Sequence, residues 1–331
     1  MDILIPLITN VAILFIMMVP GIILKKCRLV GEDFGKGLSN LVVYIAQPAL
    51  ILYAYIAFEG KFSEIWKNAL WVFVLSVVAH ILFAVVALEF FKKAEDGRRR
   101  MLRFATVFSN AAFMGIPLVS VILGAEATIY ASIYNITFNL FLWSLGVYFC
   151  TARRDEDGDG IPDGEHKTKP SISPLRVLCH PVNIASAVGI LLLAFGVGSH
   201  LPDLIVDSLE MLKHLVAPLS MVVIGLRMAN LSLRGAATDW NMYIFLGLRH
   251  FILPALVLGF MWLFSVMGLP LGETVCTVVL LLAATPAATS ATMFAEKYDC
   301  DTAYISRMVL ISTLLSLVSM PLLVLLMDVI L

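Results

Sequence analysis

Phe108-Ser-Asn-Ala-Ala-Phe-Met-Gly-Ile-Pro117 and Leu282-Ala-Ala-Thr-Pro-Ala-Ala-Thr-Ser-Ala-Thr-Met-Phe294 are apolar segments interrupted by small and polar residues, each with a proline. In hydrocarbon every backbone polar group needs a partner within the protein, so a lipid-facing helix gains nothing from such an interruption. A helix unwound beside a water-filled solute site does gain, because its freed N–H and C=O groups can bind a solute or an ion. Pro117 and Pro286 stand at matching places in the two halves of the chain. That pairing points to a secondary transporter, whereas Pro20, Pro254 and Pro321 read as ordinary kinks of membrane helices.

The surrounding composition agrees. Of 331 residues, 60% are hydrophobic and only 14% charged, below the share of about a quarter usual in soluble domains. The mean hydropathy is +0.93. Ten apolar runs are long enough to cross a bilayer: 3–24, 36–57, 67–91, 102–123, 127–150, 178–198, 205–229, 241–266, 272–295 and 304–330, with ends uncertain by about four residues. The expected fold is therefore an all-α polytopic membrane protein. The net charge of −1 carries little information, but its distribution does. Lysines and arginines cluster at 25–36, 92–103, 153–176, 227–234 and 297–307, which holds 19 of the 23 on one side of the alternating spans. Lys61, Lys67 and Lys213 fall on the other side and Arg249 lies inside a span. The bias makes the basic side cytoplasmic and puts both termini outside a cell membrane. Met1-Asp2 offers no basic region before the first span, which reads as a retained span and not as a removed signal peptide. The five cysteines have no CxxC spacing, and most lie at cytoplasmic span ends, so no disulfide is expected.

The halves repeat. Pro48 and Pro218 differ by 170 positions, Pro117 and Pro286 by 169, and the Thr-x-Tyr-x-Ser stretches at Thr128 and Thr302 by 174. Two copies of a five-span unit follow, at 1–150 and 178–331, joined by an acidic cytosolic linker at 151–177. Because five is odd, the second copy enters the membrane inverted, the arrangement that supports alternating access around a midplane site.

At these residues the chain resembles the auxin efflux carrier family, of bacterial organic-acid permeases and plant PIN-type auxin transporters, related to the bile acid/arsenite/riboflavin transporter superfamily. Asn110-Ala-Ala-Phe-Met-Gly-Ile-Pro-Leu118 looks like the family's Asn-x-x-x-Met-Gly-Ile-Pro-Leu stretch in its fourth span. Ala283-Ala-Thr-Pro286 with Phe294-Ala-Glu-Lys-Tyr298 looks like the ninth span, and Pro218-Leu-Ser-Met-Val-Val-Ile-Gly-Leu-Arg-Met228 resembles the seventh. The resemblance implies a scaffold of spans 1, 2, 6 and 7 and a mobile transport domain of spans 3–5 and 8–10. It also implies crossing broken spans 4 and 9, a homodimer through the scaffold, elevator-type movement and a small carboxylate substrate. The linker is short, as in the bacterial members, so auxin itself is not implied.

Asn110 is the leading candidate for substrate contact. Its amide can donate to a carboxylate oxygen without burying a second full charge, and in the family the matching asparagine contacts the substrate carboxylate. The alternative is an interhelical hydrogen bond worth about 1 kcal/mol. Ser109, Thr285, Thr289, Ser290 and Thr292 add hydroxyls near Pro117 and Pro286, half-helix N-termini suit an anion, and Gly115 permits close backbone approach. Asn135 and Asn139 share a helical face that could point at the crossing or serve as packing glue. Arg249 is costly in a membrane, so it should face a substrate carboxylate or bond carbonyls bared by the crossing. No Asp or Glu lies near the middle of a span. His80 and His250 are the remaining titratable candidates for proton coupling, while sodium could use carbonyls of the broken helices. The residues alone leave proton coupling, sodium coupling and uniport open.

Asp155-Glu-Asp-Gly-Asp-Gly-Ile-Pro-Asp163 matches the start of an EF-hand-like loop, with Asp155, Asp157, Asp159 and Asp163 as candidate calcium ligands. His166 stands where the bidentate glutamate would be, so a solvated acidic linker is the competing reading. There is no HExxH, no G-x-S-x-G and no paired membrane aspartates, so an enzyme is not expected, nor any cofactor beyond a coupling ion. The basic clusters are topology signals and imply no nucleic acid. A membrane-embedded sensor with the same pocket remains the alternative to a carrier.

Overall fold

The computed structural model describes residues 4–31, 33–152, 177–229, 239–269 and 271–330. The described secondary structure is helical apart from one isolated bridge between Ser109 and Ala287. The helices run α1 Leu4–Lys26, α2 Phe34–Leu41, α3 Gln47–Ile56, α4 Phe62–Phe90, α5 Asp96–Val107, α6 Ile116–Phe141 and α7 Val147–Thr151. They continue with α8 Pro181–Ala194, α9 Asp203–Lys213, α10 Val216–Met228, α11 Trp240–Gly247, α12 Leu253–Val266, α13 Glu273–Ala284, α14 Ala291–Lys297 and α15 Thr302–Ile330.

Among the described residues seven continuous helical stretches are long and apolar enough to cross a membrane: Ile8–Lys26, Phe34–Ile56, Phe62–Phe90, Ala111–Thr151, Asp203–Met228, Trp240–Val266 and Thr302–Met327. The chain is thus a multi-pass membrane protein. The ten hydropathy runs differ from these seven in identifiable places. Runs 102–123 and 127–150 merge in Ala111–Thr151, 41 residues or about 60 Å of helix, twice a hydrocarbon core. That stretch is bent at Gly124, whose φ of 79° is open to glycine and strained for other residues. Run 178–198 forms only the shorter helix α8, and run 272–295 is divided into α13 and α14.

Prolines shape the helices in a regular way. Pro48, Pro117 and Pro254 are each the second residue of a helix that continues out of a π-helical turn, at Val42–Ala46, Ala111–Gly115 and Leu248–Ile252. A proline ring clashes with the carbonyl four residues earlier and offers no N–H to it. The widened turn contains that carbonyl in all three cases and accommodates the ring without ending the helix. Pro117 therefore does not break its span, contrary to expectation. The break lies at Phe108–Asn110, where Phe108 is extended, and the second half begins at Ala111. Pro286, by contrast, sits inside its break between α13 and α14.

Packing is closest where side chains are absent. A Cβ on Gly225 would lie 2.0 Å from the Met18 carbonyl oxygen, and one on Gly21 would lie 2.2 Å from the Val222 carbonyl oxygen, so α1 and α10 touch backbone to backbone. Small residues are the usual means of such approach in bilayers. A second extensive pairing joins α3 to α8, where Gly189 lies against the Tyr55 ring. Several buried hydroxyls are satisfied within their own helices, as with Thr106 on Leu102, Ser186 on Val182 and Thr313 on Val309, which removes their cost in hydrocarbon. At one end, Arg100 donates to the carbonyls of Cys150, Tyr298 and Asp299, tying α5 to the ends of α7 and α14.

Candidate functional site

The two interruptions meet. The Asn110 N–H donates to the Pro286 carbonyl at 2.7 Å and the Ala288 N–H donates to the Phe108 carbonyl at 2.9 Å. An antiparallel bridge of one residue pair thus replaces the helical bonds both segments give up. Gly115 makes this approach feasible, since a Cβ there would lie 2.5 Å from Leu282 Cδ2 and 3.2 Å from Thr285 Cγ2. Pro117 is buried behind it.

The two kinds of helix end at the crossing are treated differently. Arg249, fully buried, donates Nε to the Thr285 carbonyl at 3.1 Å and Nη1 to that of Thr106 at 3.1 Å. Its Nη2 reaches the carbonyls of Ala283 and Thr285, both at 2.7 Å. These acceptors are the carbonyl ends of α5 and α13. Of its two sequence readings, binding carbonyls bared by the crossing is the one the bonds display. The N-terminal ends opposite, at Asn110 and Ser290, have no side-chain cap. The first N–H groups of a helix have no intrahelical partner, so the crossing keeps a positive side.

Asn110 stands at that side. It is 3% exposed, its Oδ1 accepts from the Thr289 hydroxyl at 3.3 Å, and its Nδ2 has no partner. The Gln47 amide donates to the Ala112 carbonyl at 2.6 Å, while its buried Oε1 is unpartnered. The Tyr134 hydroxyl is turned toward Ser109 and Arg249. Thr285 bonds its own helix through Leu282, and Ser290 is half-buried at the start of α14. The crossing therefore gathers Ser109, Asn110, Gly115, Thr285, Pro286, Thr289 and Ser290.

The face of Asn135 and Asn139 turns elsewhere. Asn139 donates to Asn183 of α8 at 3.0 Å, and Ser132, one turn before Asn135, lies 3.2 Å from the Tyr55 hydroxyl of α3. Asn135 lies on this face, 1% exposed, with neither amide atom partnered.

The two histidines are both buried beside the crossing. His80 bonds the Ser76 carbonyl at 2.7 Å and is boxed by Phe108, Tyr134, Phe138 and Phe141, stacking on the last at 5.1 Å. His250 lies 2.9 Å from the Ser312 hydroxyl and 2.8 Å from that of Ser319, and Ser312 in turn accepts the Ala287 N–H at 3.0 Å. They are 170 positions apart, the interval that separates Pro48 from Pro218.

Arg227 was legible in the sequence only as a topology charge. Its Nη1 donates to the Thr289 carbonyl and, at 3.1 Å, to the Thr292 hydroxyl. Arg227 and Thr292 line a cleft of about 750 Å³ that also carries Lys25, Lys36 and Lys297 against Asp33 and Glu296. A chain of bonds thus runs from the cleft through Thr289 to Asn110. The acidic stretch Asp155–Asp163 lies outside the described residues. Among the described residues no group of three or more His, Cys, Asp or Glu side chains could hold a metal ion.

Residues 6–324 match a protein family described as membrane transport protein. The chain is 27% identical over 304 residues to an uncharacterized transporter of Methanothermobacter thermautotrophicus, covering 91% of this chain and 92% of that protein. It is 24% identical over 310 residues to an uncharacterized transporter of Methanocaldococcus jannaschii, covering 93% and 94%.

Proposed function

The chain belongs to the membrane transport protein family, a family of transporters and not of enzymes, and from that premise we propose that it is a secondary carrier for a small organic anion. The observation that carries the anion is the asymmetry of the crossing. Its carbonyl ends are bonded by a built-in cation, Arg249, whereas its N-terminal ends have no side-chain cap and the Asn110 amide nitrogen beside them has no partner. Partial positive charge and a free donor suit a carboxylate. The basic excess of the cleft would raise the local anion concentration on the way in.

In this reading ten spans form two inverted five-span repeats, at 1–150 and 178–331, with 151–177 between them. Helix pairing supports it: exchanging the repeats converts the α1–α10 contact, spans 1 and 7, into the α3–α8 contact, spans 2 and 6. The shared interval of His80 and His250, each packed beside one break, supports it as well. Those two pairings make a scaffold on which the protein dimerises. Spans 3–5 and 8–10 carry the crossing as one body and move it, elevator-fashion, across a cell membrane with both termini outside.

Counterflow in proteoliposomes tests this reading. Vesicles loaded with unlabelled malonate, succinate, malate or pyruvate should accumulate the same labelled acid transiently, because loaded carriers return faster than the label equilibrates. Saturable binding without counterflow would instead make the protein a receptor.

A further inference from the structure

We propose that Arg227 is the carrier's anion-operated latch, a residue that holds the empty crossing in place and lets go when a carboxylate arrives. This rests on the carrier reading above and adds to it the residue that senses the substrate's charge. Arg227 lies in the last turn of α10, the helix that packs backbone to backbone on α1. Its acceptors, the Thr289 carbonyl and Thr292 hydroxyl, belong to the second broken helix. The bond therefore joins the proposed scaffold to the proposed moving body.

The geometry leaves the guanidinium two tasks. Nη1 is committed to the broken helix, while the side chain also lines the cleft through which a solute would enter. A guanidinium has five donors, and a planar carboxylate matches two of them at once. A carboxylate offers a full opposite charge and two parallel acceptors, which the neutral Thr289 carbonyl does not, so an entering carboxylate outcompetes that carbonyl. The exchange also frees the Thr289 segment, whose hydroxyl holds the Asn110 amide oxygen. Binding the anion and releasing the moving body become one event. A neutral solute of the same size cannot replace the carbonyl at a profit and leaves the latch shut. Arg249 cannot serve this purpose, because its bonds lie within the crossing, to Thr106, Ala283 and Thr285.

The test compares Arg227→Met, Arg227→Lys and Thr292→Val in proteoliposomes, using labelled malonate, succinate, malate and pyruvate. Zero-trans efflux, which needs the empty carrier to return, is measured beside exchange, which does not. Arg227→Met should raise the exchange KM about tenfold and raise the ratio of zero-trans efflux to exchange, with Arg227→Lys between it and the unaltered protein. Thr292→Val removes one acceptor without touching the guanidinium. It should raise the efflux-to-exchange ratio while leaving KM within about twofold. An unchanged ratio in Thr292→Val together with an unchanged KM in Arg227→Met would overturn the latch and leave the carrier intact. If Arg227→Met does not fold, the ratio in Thr292→Val and the KM of Arg227→Lys decide, unchanged values in both overturning the latch. Absence of any flux in the unaltered protein would overturn both the latch and the carrier.

Discussion

The Asn110 backbone N–H donates to the Pro286 carbonyl at 2.7 Å, so the two broken helices are joined chiefly through backbone and only secondarily through the asparagine side chain. The Asn110 side chain contributes one 3.3 Å bond from Thr289 and an amide nitrogen without a partner. Truncating it to alanine should therefore cost little stability, about 1 kcal/mol or less, read as the thermal unfolding midpoint in detergent. A collapse of the midpoint would mean that the side chain holds the crossing together and is not kept free for a ligand.

Arg249 should behave in the opposite way. Removing it strands carbonyls of Thr106, Ala283 and Thr285 in a fully buried place. Arg249→Met should lose about 3–5 kcal/mol of stability. Arg249→Lys should recover only part of it, because a single ammonium cannot reproduce a fork that reaches both breaks. The fraction of monodisperse protein after heating measures both, and near-native behaviour of Arg249→Met would contradict the assigned role.

The contact of α1 with α10 sets a third expectation. Gly225→Val must push α10 off the Met18 carbonyl, a loss of about 1–3 kcal/mol. Gly259→Ala, where a Cβ meets nothing within 4 Å, should be neutral or stabilise α12 by about 0.5–1 kcal/mol. Equal midpoints for the two variants would contradict the backbone contact.

Much of this was legible in the chain, and the limits have physical causes. Asn110, Thr289 and Pro286 could be found because an interrupted apolar run has no reason to exist in lipid. The position of the first break could not, because the widened turn at Ala111–Gly115 accommodates the Pro117 ring and the unwinding falls at Phe108–Asn110. The task of Arg249 depends on acceptors 143, 34 and 36 positions away, which no local pattern reveals. Arg227 was hidden by its membership in a charge cluster that reads as a topology signal. Asn139, on a shared face with Asn135, could not be assigned without knowing that Asn183 lies opposite.

Asn135 gives a fourth expectation. Both of its amide atoms are buried without a partner, which costs stability in the conformation described. Asn135→Leu, of similar size, should raise the unfolding midpoint by the equivalent of about 1 kcal/mol. A lower midpoint would show that the amide has partners in the folded protein.

The most direct test of the central claim is gradient-driven uptake of labelled malonate, succinate, malate and pyruvate into liposomes, with proton and sodium gradients imposed separately, for the unaltered protein and Asn110→Ala. A carrier that binds carboxylates at the crossing will take up at least one of these acids and lose that uptake in the variant while remaining folded. Undiminished uptake by Asn110→Ala would contradict the site, and an absence of flux with any of the acids would contradict the carrier.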